Sequence, residues 1–168
     1  MCSRRSREDC LRHERAVFFF RGARRLCGFE ASGQVTLLEP WFSNRTKSIV
    51  KSPKHYLNDT GLLCALLNIR DTASLLTAPS VGAVWETFVL AQLRHRERMA
   101  GRERSLFFWR DRTREVDFLA EAAGRLQLFE AKWTELPDAT DLINLRFARE
   151  ALGRTVPVEE LGGIESRG

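Results

Sequence analysis

Glu115-Val-Asp-Phe-Leu-Ala-Glu-Ala122, the pair Ala123-Gly124, and Arg125-Leu-Gln-Leu-Phe-Glu-Ala-Lys132 together decide the fold. Val116, Phe118 and Ala120 alternate with polar residues in the first run, and a second apolar run follows a two-residue turn signal. That pattern predicts two antiparallel strands. Leu106-Phe-Phe-Trp109 adds a third strand through the turn Arg110-Asp-Arg-Thr113, making a meander. Alternation places Glu130 and Lys132 on one face and Phe129 and Ala131 on the other. Glu115 is assigned to the side opposite Asp117, against solvent or a basic side chain.

Outward from the meander, Gly82 to Arg98 predicts a helix on which Val84, Trp85, Phe88, Val89, Leu90 and Leu93 wrap much of the circumference. Glu86 falls between the directions of Leu90 and Leu93, away from Thr87 and Arg94. An acid facing a core needs a partner, a metal or a proton. Downstream, Asp138 to Leu152 predicts a helix stopped by Gly153, and Thr155-Val-Pro-Val158 an edge strand, because proline cannot donate to a ladder. Helix, three strands, helix, strand is an α/β order.

Further upstream, Val35-Thr-Leu-Leu38 and His55-Tyr-Leu57 read as strands. The connection between them is basic, with Asn44, Arg45, Lys47, Lys51 and Lys54. Such a hairpin is like the wing of a winged helix and would touch phosphates without sequence preference, or else be a solvated loop. Asp59 is placed to cap an apolar helix running to Leu67, and Asp71 to Pro79 reads as a loop.

The 168 residues suit one domain, and 43% hydrophobic content supports a core. No apolar run reaches the ~20 residues of a membrane span. The formal charge of +5 lies entirely in the first 25 residues, and the other 143 balance 19 basic against 19 acidic side chains. A phosphate-binding stripe must therefore be local. Cys2, Cys10, Cys27 and Cys64 have neither zinc-ligand spacing nor a paired framework, so a reducing, cytoplasmic setting is expected. No GxxxxGK[ST] loop exists, so no ATP site is expected in this chain. The histidines have no serine or cysteine partner that would make a catalytic triad.

Asp117 and Glu130 on neighbouring strands are of the kind that hold Mg²⁺, with the Ala131 carbonyl as a third ligand and Glu86 completing the set. Lys132 would then orient or help deprotonate a water and stabilise developing negative charge. This chemistry needs one cleft of metal-binding dimensions. The alternative is a solvated face, with Asp117 paired to Arg112 or Arg114 and Glu86 held by a core arginine.

Five ordered motifs, Leu38-Glu-Pro-Trp-Phe-Ser-Asn44, Lys51-Ser-Pro-Lys-His-Tyr-Leu-Asn-Asp-Thr-Gly-Leu-Leu63, Gly82-Ala-Val-Trp-Glu-Thr-Phe-Val89, Phe108-Trp-Arg110 with Glu115-Val-Asp-Phe118, and Phe129-Glu-Ala-Lys-Trp133, resemble the DUF4143 domain from about Ser32 to Phe147. In that family the domain follows an AAA+-type ATPase through a winged-helix region, and its C-terminal part looks like the PD-(D/E)xK, restriction-endonuclease-like fold. The resemblance implies Asp117 and Glu130 as metal-binding acids, Lys132 as the catalytic lysine and Glu86 as the helical acid. It also implies a division into an atypical, poorly ordered segment 1–31, a partial winged-helix hairpin and linker helix 32–80, and a nuclease-like domain 81–168. The ATPase has no counterpart here, and the Arg-rich start departs from the family's usual lead-in, as a truncation or frame shift would produce. The implied function is Mg²⁺-dependent phosphodiester hydrolysis or DNA or RNA binding coupled to an ATPase. A non-catalytic regulatory or protein-interaction domain and a nonfunctional fragment are the alternatives.

Overall fold

The computed structural model describes residues 28–42, 52–102, 106–134, 142–153 and the backbone of 158–165. It is an α/β fold in which a small mixed sheet is flanked by helices. Strands β1 (Val35–Leu38) and β2 (Lys54–Leu57) form an antiparallel pair with Leu38 opposite Lys54 and Thr36 opposite Tyr56. Asn58 secures its open end, donating from Nδ2 to the Gly33 carbonyl while its Oδ1 accepts from Thr36 and Arg94. Beyond β1 the chain runs alongside the larger sheet, where Trp41 N–H donates to the Phe108 carbonyl and Phe108 N–H to that of Glu39.

Helix α1 (Thr60–Leu66) starts where the sequence predicts, with Asp59 accepting from Leu62 N–H at 2.9 Å. That side chain satisfies an amide the first turn leaves without a helical partner. Asp59→Ala should lower stability by about 1 kcal/mol in urea denaturation, a typical cap loss. Helix α2 (Thr72–Thr77) lies where a loop was expected. A reciprocal cap between Asp71 and Ser74 closes its first turn, a local signal the weak apolar pattern obscured.

Helix α3 (Val81–Met99) precedes β3 (Leu106–Arg110), β4 (Glu115–Ala122) and β5 (Arg125–Lys132), the expected antiparallel meander. Ala122 pairs with Arg125, leaving Ala123 and Gly124 as a two-residue turn, with φ of 51° and 72°. Positive φ at both positions matches the right-handed twist of the strands, and glycine adopts it without the Cβ strain that Ala123 bears. Helix α4 (Ile143–Gly153) then leads to β6 (Val158–Glu165), which pairs in parallel with β5 at the sheet edge. Edge placement agrees with the sequence, but the strand extends further than expected, and Thr155, Val156 and Pro157 lie outside the described residues.

The sheet separates two apolar layers. On the α3 side Val89, Leu90 and Leu93 pack with Phe108, Phe118, Ala120 and Phe129, joined by Leu38 and Tyr56 from the hairpin. On the α4 side Leu145, Ala148 and Leu152 cover Val116, Leu119, Leu126 and Leu128. Residues either side of 80/81 thus share one core. Thr87, placed by the sequence on the polar side of α3, is buried with its hydroxyl donating to the Ala83 carbonyl, whereas Phe88 is exposed and stacks on Trp85. Among the described residues, no helix is long and apolar enough to cross a membrane.

Candidate functional site: carboxylates around Lys54

The meander is regular except beside Asp117. Phe107 pairs with Leu119 and Trp109 with Val116, so Asp117 and Phe118 together oppose Phe108. Such a bulge turns two successive side chains toward one side of the sheet. Phe118 enters the core under α3, and Asp117 turns toward the hairpin and α3 beside it.

There Asp117 meets Lys54. The Lys54 ammonium lies 3.2 Å from Asp117 Oδ1, 3.0 Å from Glu86 Oε1 and 2.5 Å from Glu115 Oε1. Its side chain is 17% exposed, against 16% for Asp117, so water screens these contacts only in part. The Tyr56 hydroxyl, two residues along β2, also donates to Glu86 Oε1. Arg110 binds Glu115 from the outer side. Ala131 N–H takes the second Asp117 oxygen at 3.1 Å.

Glu130 and Lys132 form a pair of their own. Lys132 Nζ lies 3.1 Å from Glu130 Oε1, and Glu130 is only 4% exposed. Its Oε2 is buried with no hydrogen-bond partner. Phe129 and Ala131 face the α3 layer, as the alternation of β5 requires. Asp117 and Glu130 remain close enough for the Asp117 charge to act on Glu130.

The charges respond to this placement. Burial pulls the Lys54 ammonium down, but Glu86 and Asp117, with hydrogen bonds to Glu115 and Glu86, carry it up to about 12. Burial and then the Glu86 charge push Asp117 up, with Lys54 opposing. Burial and then the Asp117 charge push Glu130 up, with Lys132 opposing. Burial would raise Glu115 too, but the hydrogen bonds from Arg110 and Lys54 outweigh it and hold that carboxyl down. Burial followed by the Glu86 charge drives the Tyr56 phenol far above its usual value.

The signs oppose one another. Asp117 and Glu130 bind protons more tightly folded than unfolded, so their contribution is lost as pH rises through their raised values. Glu115 contributes above its unfolded value and loses that contribution as pH falls through its lowered one. Glu130→Gln, which removes a charge that burial disfavours, should therefore be no less stable than the wild type at neutral pH. Its melting temperature should also fall less between acidic and neutral pH than that of the wild type. A melting temperature below the wild type's at neutral pH would contradict this.

The structure thus gathers Glu86, Glu115 and Asp117 on one ammonium, while Glu130 and Lys132 pair with each other on the face of β5 opposite Phe129 and Ala131. Two sequence expectations change. Glu115 is on the same side as Asp117, because residues two apart on a strand share a face; its contact with basic side chains was expected. Lys54, grouped by sequence with a phosphate-facing connection, points its ammonium at carboxylates instead of phosphates. Arg45, Lys47 and Lys51 lie outside the described residues. The partners foreseen for Asp117, Arg112 or Arg114, give way to Lys54, which also takes the place of a core arginine at Glu86. Among the described residues, no group of three or more His, Cys, Asp or Glu is arranged to hold a metal ion.

Two roles had no forecast. Lys54 and Tyr56 alternate onto one face of β2, and the apolar body of Tyr56 was the signal that this face is inward. Glu97, 1% exposed and held by Arg96 and Arg102, repeats the Leu90–Leu93 core stripe at helical spacing, which marks it as buried.

Residues 81–161 match the model of a domain of unknown function, DUF4143. Residues 26–73, which include the whole of the Leu38–Asn44 and Lys51–Leu63 motifs, match a different domain of unknown function, DUF8612. The chain is 40% identical over 124 residues to the uncharacterized protein Rv2008c of Mycobacterium tuberculosis, which covers 70% of this chain and 27% of the relative. Uncharacterized protein Mb2031c of Mycobacterium bovis shows the same identity and coverage. The chain spans about a quarter of the length of these curated relatives. No solved structure matches.

Proposed function

We propose that this DUF4143 segment is a restriction-endonuclease-like module that uses a divalent cation to act on phosphodiesters in DNA or RNA. The observation behind this reading is the buried Glu130, with one oxygen on Lys132 and the other without a partner, beside Asp117 on the next strand. A carboxylate kept in so dry a place has to be offset by a charge, a proton or a function. The order α3, β3-β4-β5, α4, β6 supports the fold assignment.

The donor set fits a hard cation in kind, since carboxylate oxygens suit Mg²⁺ or Mn²⁺. Asp117 and Glu130 would hold it, with Glu86 as the helical contributor. Bound there, the cation would supply positive charge to a phosphoryl oxygen. Lys132, with its side chain 41% exposed beside Glu130, is placed to orient a water and to offset negative charge as it develops. The residues 32–80 would form the partial winged-helix unit, with Arg45, Lys47 and Lys51 touching phosphates, and an ATPase would be the partner that drives the module.

Incubation of the purified chain with supercoiled DNA or structured RNA and Mn²⁺ tests the reading. Nicking that disappears in Lys132→Ala and in Asp117→Asn is the expected result; nicking retained in both variants overturns it.

One observation favours a second reading. Lys54 pairs with Glu86, Glu115 and Asp117 without any ion, as a non-catalytic, partner-organising domain would require. That reading expects no Mn²⁺ binding that depends on Asp117.

A further inference from the structure

We propose that Lys54 is a tethered cation in competition with the divalent ion, so that the ion binds only when the Lys54 ammonium swings out of the carboxylate cluster. This inference rests on the cation-site reading above and adds a control to it. The competition is for particular atoms. Asp117 Oδ2 accepts the Ala131 N–H, and Oδ1, the oxygen without that backbone donor, is the atom that Lys54 holds. Glu86 Oε1 is likewise shared between Lys54 and Tyr56. An ion on these oxygens would stand within a few ångström of the ammonium, and like charges at that range repel strongly where water is scarce.

The tether makes the ammonium an effective competitor. Attached to β2, it faces the acids at an effective concentration in the millimolar range, with no translational entropy to lose. Its backbone is fixed: Tyr56, two residues on, is buried in the α3 layer, and Lys54 pairs with Leu38 across the hairpin. The motion required is therefore that of a four-carbon stem, whose ammonium lies 5.7 Å from the Phe108 ring centre. Anything that offers the ammonium another anion, above all a phosphate of a bound nucleic acid, would draw it off the acids. Substrate and cation would then load together, and the acids would keep Lys54 as their shared counter-ion until they do.

Amine acetylation followed by mass spectrometry reads the position of Lys54 in the unaltered chain. Lys54 should be protected in buffer and become labelled several-fold faster with Mn²⁺, but not with NaCl of matched ionic strength. In calorimetric titration, Lys54→Met should bind Mn²⁺ about tenfold or more tightly than wild type, because the tethered competitor is gone. Mn²⁺ binding that is lost in Asp117→Asn while Lys54 stays protected would overturn the competition and leave the cation site standing. No Mn²⁺ binding in either wild type or Lys54→Met would overturn both.

Discussion

Lys54→Met should lower stability by about 3 kcal/mol in metal-free buffer, the lower end of the range for breaking a buried ion pair. The lower end applies because the acids on Lys54 retain some solvent, with side-chain exposures of 26% for Glu86 and 29% for Glu115. The loss arises from what remains: Glu86, Glu115 and Asp117 face one another without their shared cation. Removing a repelled charge as well should recover much of it, so Lys54→Met with Asp117→Asn should be more stable than Lys54→Met alone. Urea denaturation of the two single variants and the double variant isolates the coupling. A loss below about 1 kcal/mol for Lys54→Met would place these contacts in the class of solvated surface pairs.

Phe118→Ala should be at least as damaging, at about 4 kcal/mol. Phe118 is fully buried, pairs across the sheet with Phe129 and lies 6.2 Å from Tyr56 between ring centres. Its truncation leaves a cavity under α3 beside the tyrosine that binds Glu86. Phe118→Leu keeps most of the volume and should lose only about 1 kcal/mol. Thermal or urea unfolding of both variants checks the ordering, and equal losses would show that the ring is not packed as described.

Much of the fold was legible because it is built from local patterns. The alternation in Glu115–Ala122 and Leu126–Lys132, the Ala123-Gly124 turn and the stripe on α3 each point to the element found there. The short helix at Thr72–Thr77 was not, because its reciprocal cap involves two residues and none of its side chains is buried. At the candidate site, the inward setting of Glu86 followed from helical spacing alone. The counter-ion of Glu86 and Asp117 did not follow, because Lys54 is 32 residues from Glu86 and 63 from Asp117 along the chain. Pairing at that distance depends on how the hairpin docks on the sheet. The bulge at Asp117–Phe118 was hidden for a related reason: it exists only relative to the register of β3.

Anomalous diffraction from crystals of wild type and Lys54→Met grown with Mn²⁺ tests the central claim most directly. A manganese peak bonded to Asp117 and Glu130 is expected, stronger in Lys54→Met, with the Lys54 ammonium displaced wherever the wild type shows the ion. Manganese absent from these acids in both proteins, with Lys54 of the wild type still on Glu86, Glu115 and Asp117, would contradict it.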